Sequence, residues 1–286
     1  MEARTKSTIF EGSAARVFQF YLQNSDEHTA VVRFLEDHLP AEFKRMAADK
    51  NELAVLGVGS GGGEVDVQIL SLLQSTFSTL PITADIVEGS VELLANFKAL
   101  VRKTESLQKI PFTWHVMSSE DYIKQINGLK TYDFIHLIQM IYYVDDLTES
   151  IKFYHSILKK NGSLVIIIEK TGRSWDTLWR TSEELEDNET PRYRSSEDVL
   201  ASLKTLGLKY EEYSIPNTFD ITECFDPNST IGQGLLCYLT STPDFYKSFT
   251  PQIRSDILKL IRSKCSTEKD GKILFDNCLS CVFVHA

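Results

Sequence analysis

Between Leu53 and Glu169, short runs of almost unbroken apolar residues alternate with stretches in which apolar side chains recur every three or four positions. The runs are Leu53–Val58, 82–87, Phe112–Val116, 133–138 and 163–168. Runs without polar alternation are expected of strands covered on both faces, as in a parallel sheet. The intervening patterns predict helices over 64–75, 90–102, 119–127 and 146–160, the last stopped at Asn161-Gly162 with Gly162 in the left-handed conformation. Five strand–helix units in this order predict an α/β fold, a mostly parallel sheet with helices on both faces.

The rhythm changes on either side of this region. Ahead of it, helices are predicted over 14–23 and 26–38, the second opened by the capping signal Asn24-Ser25-Asp26-Glu27. After Glu169 comes an acidic stretch from Ser182 to Thr190. A helix then follows, capped by Ser195 or Ser196, apolar along Val199, Leu200, Leu203 and Leu206, and stopped by Gly207. Residues 208–215 alternate as a half-exposed strand, and the run from Lys272 to Val284 reads as one long final strand.

Composition narrows the class. With 286 residues, 42% hydrophobic and 24% charged, the chain is ordinary for a globular protein. Lys plus Arg number 30 against 40 for Asp plus Glu, a net charge of -10, so the mean field works against nucleic acid or an anionic membrane as partner. No apolar run approaches the length of a membrane span or the core of a secretory leader. The five cysteines fall in the last quarter, and the lone Cys278-Leu-Ser-Cys281 lies in a strand-like apolar run with no second CxxC, so reduced thiols, no metal site and a cytoplasmic location are expected.

The sharpest motif is Val55-Leu-Gly-Val-Gly59-Ser-Gly-Gly-Gly63-Glu64, a glycine-rich turn between a predicted strand and a predicted helix. Gly57-x-Gly59-x-x-Gly62 matches the dinucleotide-binding pattern, in which missing side chains let a ligand approach the backbone. Glu88, at the end of the next strand, offers a carboxylate for two vicinal ribose hydroxyls. The turn alone does not separate a nicotinamide dinucleotide from S-adenosylmethionine. Ser119-Glu120-Asp121 after the third strand, suited to bracketing adenine, and the final pair of strands favour the latter. Taken alone, Ser119 also reads as a helix cap.

At this point the sequence resembles one family. The segment Asp133-Phe-Ile-His-Leu-Ile-Gln-Met-Ile-Tyr-Tyr-Val144, the run Ser25-Asp-Glu-His28, Trp175-Asp-Thr-Leu-Trp179 and Leu274-Phe-Asp-Asn-Cys-Leu-Ser280 are similar to their counterparts in histamine N-methyltransferases, in the same order from Phe18 to the C-terminus. The resemblance implies a Rossmann-like class I methyltransferase with a seven-stranded sheet and a smaller substrate-binding cap. It implies transfer of a methyl group from S-adenosylmethionine to the tele nitrogen of histamine by a monomer. The implied cofactor contacts are Gly59 and Gly61 of the turn, Glu88, Ser119 and Ile138. Glu27, Gln139 and Asn277 are implied as the catalytic and substrate contacts, with Phe18, Tyr21, Tyr142, Tyr143, Trp175, Trp179 and Phe245 as the aromatic lining. The expected division is a cap from 1–50 and 216–270, a cofactor domain over 51–215, and a last sheet strand over 271–286.

Departures from the family pattern fall at Leu93, where a Gln is expected, and near Ala14 and Pro191, where a Tyr and a Cys are expected. They leave open a related imidazole compound such as carnosine, another biogenic amine, or a catalytically silent binding protein. The chemistry itself needs little. An in-line displacement depends on positioning, and imidazole, with a pKa of about 6.5, is mostly neutral and nucleophilic at pH 7. Glu27 suits an ammonium group or a ring N–H, although at a helix start it also reads as a dipole partner. An Asn inside the apolar run around 277 must find a partner if it is buried.

Overall fold

The computed structural model describes residues 21, 23–126, 129–185 and 193–286. They divide into two compact units. One comprises the described residues within 31–168, 198–213 and 281–286; the other comprises those within 1–30, 169–197 and 214–280.

The first unit carries the α/β region. Its strands are β1 (Leu53–Val58), β2 (Ile82–Glu88), β3 (Phe112–Val116), β4 (Tyr132–Ile138) and β5 (Leu158–Glu169), followed by β6 (Tyr210–Ile215) and β10 (Leu279–His285). The seven-stranded order is β3-β2-β1-β4-β5-β10-β6. The pairs β1/β2, β1/β4, β2/β3 and β4/β5 are parallel, as the apolar runs predict. After β3 the chain returns to the far side of β1, so β1 and β4 flank the switch point, where open α/β sheets bind ligands beyond the C-terminal strand ends. Leu56, Ile135, Leu137, Leu164 and Ile166 are fully buried at the centre of this sheet. Its helices include α2 (Glu64–Thr76), α3 (Val91–Lys103), α4 (Ser119–Ile126), α5 (Leu147–Ser156) and α7 (Ser196–Thr205). Helix α1 (Glu27–Met46) runs through Pro40, past the predicted stop at 38, because Leu39, Phe43 and Met46 extend the buried face begun by Val31 and Leu35.

Two further expectations change. Helix α5 stops at Ser156, and β5 begins at Leu158 rather than at 163. Leu158 pairs with Tyr132 and Ser163 with Phe134, so the residues between them bulge. Asn161, not Gly162, takes the left-handed turn, with φ 63°. Gly162 answers a different need, since a Cβ there would lie 2.7 Å from the Lys159 carbonyl oxygen. The run from Lys272 to Val284 is not one strand. Asn277 and Cys278 separate β9 (Lys272–Asp276) from β10, and the two belong to different sheets.

The second unit is built on a three-stranded sheet, β7 (Thr218–Asp220), β9 and β8 (Ser266–Lys269), antiparallel throughout. Phe219 pairs with Phe275 across β7 and β9. Helices α6 (Ser174–Thr181), α8 (Thr230–Leu239), α9 (Phe245–Ser248) and α10 (Pro251–Lys264) belong to this unit, and its buried cluster includes Leu178, Ile221, Leu235, Leu236 and Ile261. No helix among the described residues is long and apolar enough to cross a membrane.

A buried polar group braces the turn after β1 from within the first unit. Asp66, on the first turn of α2, accepts a hydrogen bond from Ser60 Oγ at 2.7 Å, and its Oδ1 lies 3.3 Å from His136 Nε2 on β4. A side chain at Gly57 would strike all three, with Asp66 Oδ1 only 2.4 Å from its Cβ. Burial raises the Asp66 carboxyl from 3.8 to about 7 and lowers the His136 imidazole from 6.5 to about 4. Between those values the folded protein holds a proton on Asp66 that the unfolded chain has lost. It lacks on His136 one that the unfolded chain carries, so the two contributions to stability oppose each other.

Removing either partner should expose the other. The contribution of Asp66 is complete at low pH and is lost as pH rises toward 7, whereas that of His136 is complete above 6.5 and is lost as pH falls toward 4. Urea unfolding at pH 4.5 and 6.5 should therefore show Asp66→Asn gaining stability with pH relative to wild type, and His136→Gln losing it. Variants that track wild type at both pH values would show that no proton is displaced at this pair.

Candidate functional site

The turn between β1 and α2 exposes backbone. Gly59, Gly61 and Gly63 all have positive φ, at 65°, 55° and 81°. At Gly59 a side chain would also meet Met140 Cβ at 2.6 Å, so both conformation and space require glycine there. Beside Gly61 a Cβ would meet nothing within 4 Å, so the outer face of the turn is open. Glu88, at the end of β2, is buried and accepts from Gly61 N–H and Ser90 N–H, each at 2.8 Å, one on each carboxylate oxygen. A carboxylate oxygen accepts two hydrogen bonds, so each retains capacity for a hydroxyl. An open turn beside an acceptor-only group fits a nucleoside with vicinal hydroxyls. Ser119 is buried at the start of α4 with its hydroxyl hydrogen-bonded to Tyr154 Oη at 2.7 Å, and Ile138 is the half-buried last residue of β4.

Gln139 follows β4 with φ 51°, a left-handed conformation that non-glycine residues seldom adopt. Its N–H bonds Ile167 O at 2.9 Å, which keeps the residue in line with the sheet and turns the chain sharply at a strand end. Tyr142 and Tyr143 come next, half-buried, with their rings edge to face at 4.8 Å. These three belong to the unit that carries the glycine turn.

The second unit holds a polar cluster around Asn277, which is 0% exposed. Its Nδ2 donates toward Glu27 Oε2 at 2.8 Å, Tyr21 Oη at 2.7 Å and Asn217 Oδ1 at 2.6 Å. Its Oδ1 accepts from the Trp175 indole N–H. Tyr21 Oη donates to the same oxygen of Glu27. Ser25 Oγ accepts from Glu27 N–H at 3.0 Å, the local cap that the sequence predicts. Glu27, Tyr21, Trp175 and Asn277 are thus brought together from three segments of the chain.

The remaining aromatic candidates differ in setting. Trp179 is one helical turn from Trp175 on α6 and stacks on Tyr193 at 6.1 Å, while Phe245 is packed inside the core at 1% exposure. Phe18, Ala14 and Pro191 lie outside the described residues. Sequence reasoning passed over Asn217, which sits between β6 and β7 and exchanges hydrogen bonds with Asn277 in both directions. In a Pro-Asn-Thr stretch it reads only as a turn residue. Asp66 was passed over for a similar reason, since an acid in a first helical turn reads as a dipole partner.

Comparison with known proteins agrees with this architecture. Residues 31–213 match the family model described as a methyltransferase domain. The YcgJ protein from Bacillus subtilis shares the fold at a TM-score of 0.53 and 13% identity, over 87% of this chain and 98% of that one. The carnosine N-methyltransferase 2 of Gallus gallus is 36% identical over 94% of this chain and 85% of its own. The histamine N-methyltransferase of Bos taurus is 38% identical over 94% of both chains. Identity at that level, over nearly the whole of both chains, means that this chain belongs to the histamine N-methyltransferase family of methyltransferases.

Proposed function

We propose that this protein transfers a methyl group from S-adenosylmethionine to the tele nitrogen of histamine. The carrying observation is the Glu27–Asn277 pair, a carboxylate and an amide 2.8 Å apart among aromatic side chains, which suits a small molecule that is cationic and rich in N–H groups. Glu27 accepts from the ammonium group or from the distal ring N–H, and Asn277 holds the carboxylate in place. Trp175, Trp179 and Phe245 of the same unit supply aromatic surface. No strong base is required, because the imidazole lone pair is available at pH 7 and the ring proton leaves after transfer.

When bound, S-adenosylmethionine supplies an electrophilic methyl group on a sulfonium centre. Glu88 takes its ribose hydroxyls, and the turn through Gly59 and Gly61 admits the amino acid portion against the backbone, with Ser119 and Ile138 along the nucleoside. All five cysteines are free and buried, which supports a reducing, cytoplasmic setting. The relative named for carnosine supports a second reading, methylation of a longer imidazole compound by the same residues.

The deciding assay offers histamine and carnosine in parallel with S-adenosylmethionine, measures S-adenosylhomocysteine, and locates the new methyl group by mass spectrometry. Product on the tele nitrogen of histamine is the expected result; turnover of carnosine alone would transfer the assignment to the second reading.

Two substitutions should separate the roles. Glu88→Ala removes a charged acceptor and should weaken S-adenosylmethionine binding on the order of 10- to 100-fold in calorimetry, the loss typical of hydrogen bonds to charged groups. Glu27→Gln should raise the histamine KM by about 10-fold or more while leaving cofactor affinity unchanged. Unaltered affinity in the first variant, or unaltered KM in the second, would remove the residue from its role.

A further inference from the structure

Tyr21 is 1% exposed, too enclosed to act chiefly as a wall. Its ring stacks on Tyr238 at 4.3 Å and meets Phe219 edge-on at 5.2 Å, which fixes where the hydroxyl lies. That hydroxyl donates to Glu27 Oε2 and accepts from Asn277 Nδ2. Burial and the neighbouring Glu27 charge push the phenol well above its usual range, so it remains a donor at every working pH.

Asn277 has only two amide hydrogens for the three acceptors around its Nδ2. Its orientation is nevertheless single-valued. A flipped amide would turn its oxygen toward the Glu27 carboxylate and its NH2 group toward the Trp175 indole N–H, so that acceptor would face acceptor and donor would face donor. Asn217 adds a second lock. It donates through Nδ2 to the Asn277 carbonyl at 2.7 Å and to the Ile215 carbonyl at 3.2 Å, while its own carbonyl oxygen accepts from Asn277 N–H at 3.0 Å.

We propose that Tyr21 and Asn217 are positioning residues of the amine site, Tyr21 fixing the Glu27 carboxylate in one rotamer and Asn217 fixing the Asn277 amide with its NH2 toward that carboxylate. The inference rests on the reading of Glu27 and Asn277 as the amine-binding pair. Its consequence is selectivity. A carboxylate offers a ligand acceptors and no donor, so the site takes cationic or N–H-bearing groups and refuses a carboxylate at that end.

The test is a double-mutant cycle on the intact enzyme, read as the KM and kcat for histamine, with S-adenosylmethionine affinity and thermal midpoint measured alongside. Tyr21→Phe keeps the ring and removes one oxygen. It should raise the histamine KM about 5- to 10-fold, within the range of one ordinary net hydrogen bond because the group acts through Glu27, with a smaller change in kcat and unchanged cofactor affinity. In a Glu27→Gln background the same change should raise KM by less than about 2-fold, because the group through which it acts has gone. Equal effects in both backgrounds, or none in either, would overturn the inference while leaving the amine-site reading intact. If Glu27→Gln itself left KM unchanged, that reading would fall and this inference with it. Should Tyr21→Phe fold poorly, Asn217→Ala measured with and without Asn277→Ala gives the same comparison, with non-additivity expected and additivity overturning the proposal.

Discussion

A fully buried asparagine is the constraint on which the second unit is arranged. The Asn277 side chain has two donors and one acceptor out of reach of water, and each one left unmet would cost roughly 1–3 kcal/mol. Meeting them draws in Trp175 from α6, Glu27 from the start of α1, Tyr21 from ahead of it and Asn217 from the link between β6 and β7. The same residue interrupts what would otherwise be one strand, separating β9 from β10. The Asn277 amide is therefore held by the interactions that order the fold around it, so its geometry does not depend on a ligand.

The first unit solves a different problem. Its recognition surface is largely backbone, and backbone is held in place from below. Gly57 must lack a side chain because Asp66, Ser60 and His136 occupy the space beneath it, and Glu88 ties the turn to the end of β2 through Gly61 N–H. Burial raises the pKa of the Asp66 carboxyl to about 7 and lowers that of the His136 imidazole to about 4, so the neutral form of each is favoured in this apolar space. The arrangement depends on mutual fit, so few substitutions at these positions keep the turn in shape.

Much of this unit is legible in the sequence. β1 and β3 have the predicted boundaries, β2 and β4 each extend one residue further, and the helices from α2 to α4 fall within a residue of expectation; β1, β2 and β4 are buried parallel strands, whereas β3, part-exposed at the sheet edge, is marked by Phe112, Trp114 and Val116. The failures share one cause. The bulge at Lys159 to Gly162, the break at Asn277 and the extension of α1 past Pro40 are each set by what packs against the segment, not by the segment itself. The site divides in the same way. Glycines and Glu88 declare themselves through their place at strand ends, whereas the left-handed Gln139, the hydroxyl of Tyr21 and the amide of Asn217 matter only through partners distant in the chain.

This contrast bears on how the family varies. A cofactor read by backbone and one carboxylate tolerates exchange of most surrounding side chains. The proposed amine site, built on Glu27 and Asn277 and braced by Tyr21, Trp175 and Asn217, does not, since altering one disturbs its neighbours' hydrogen bonds as well as its own. Substrate preference can therefore shift through a few positions while overall identity hardly changes. Under the proposed reading, the partners of Glu27 and Asn277 are the positions whose exchange would alter which groups of a ligand can be held.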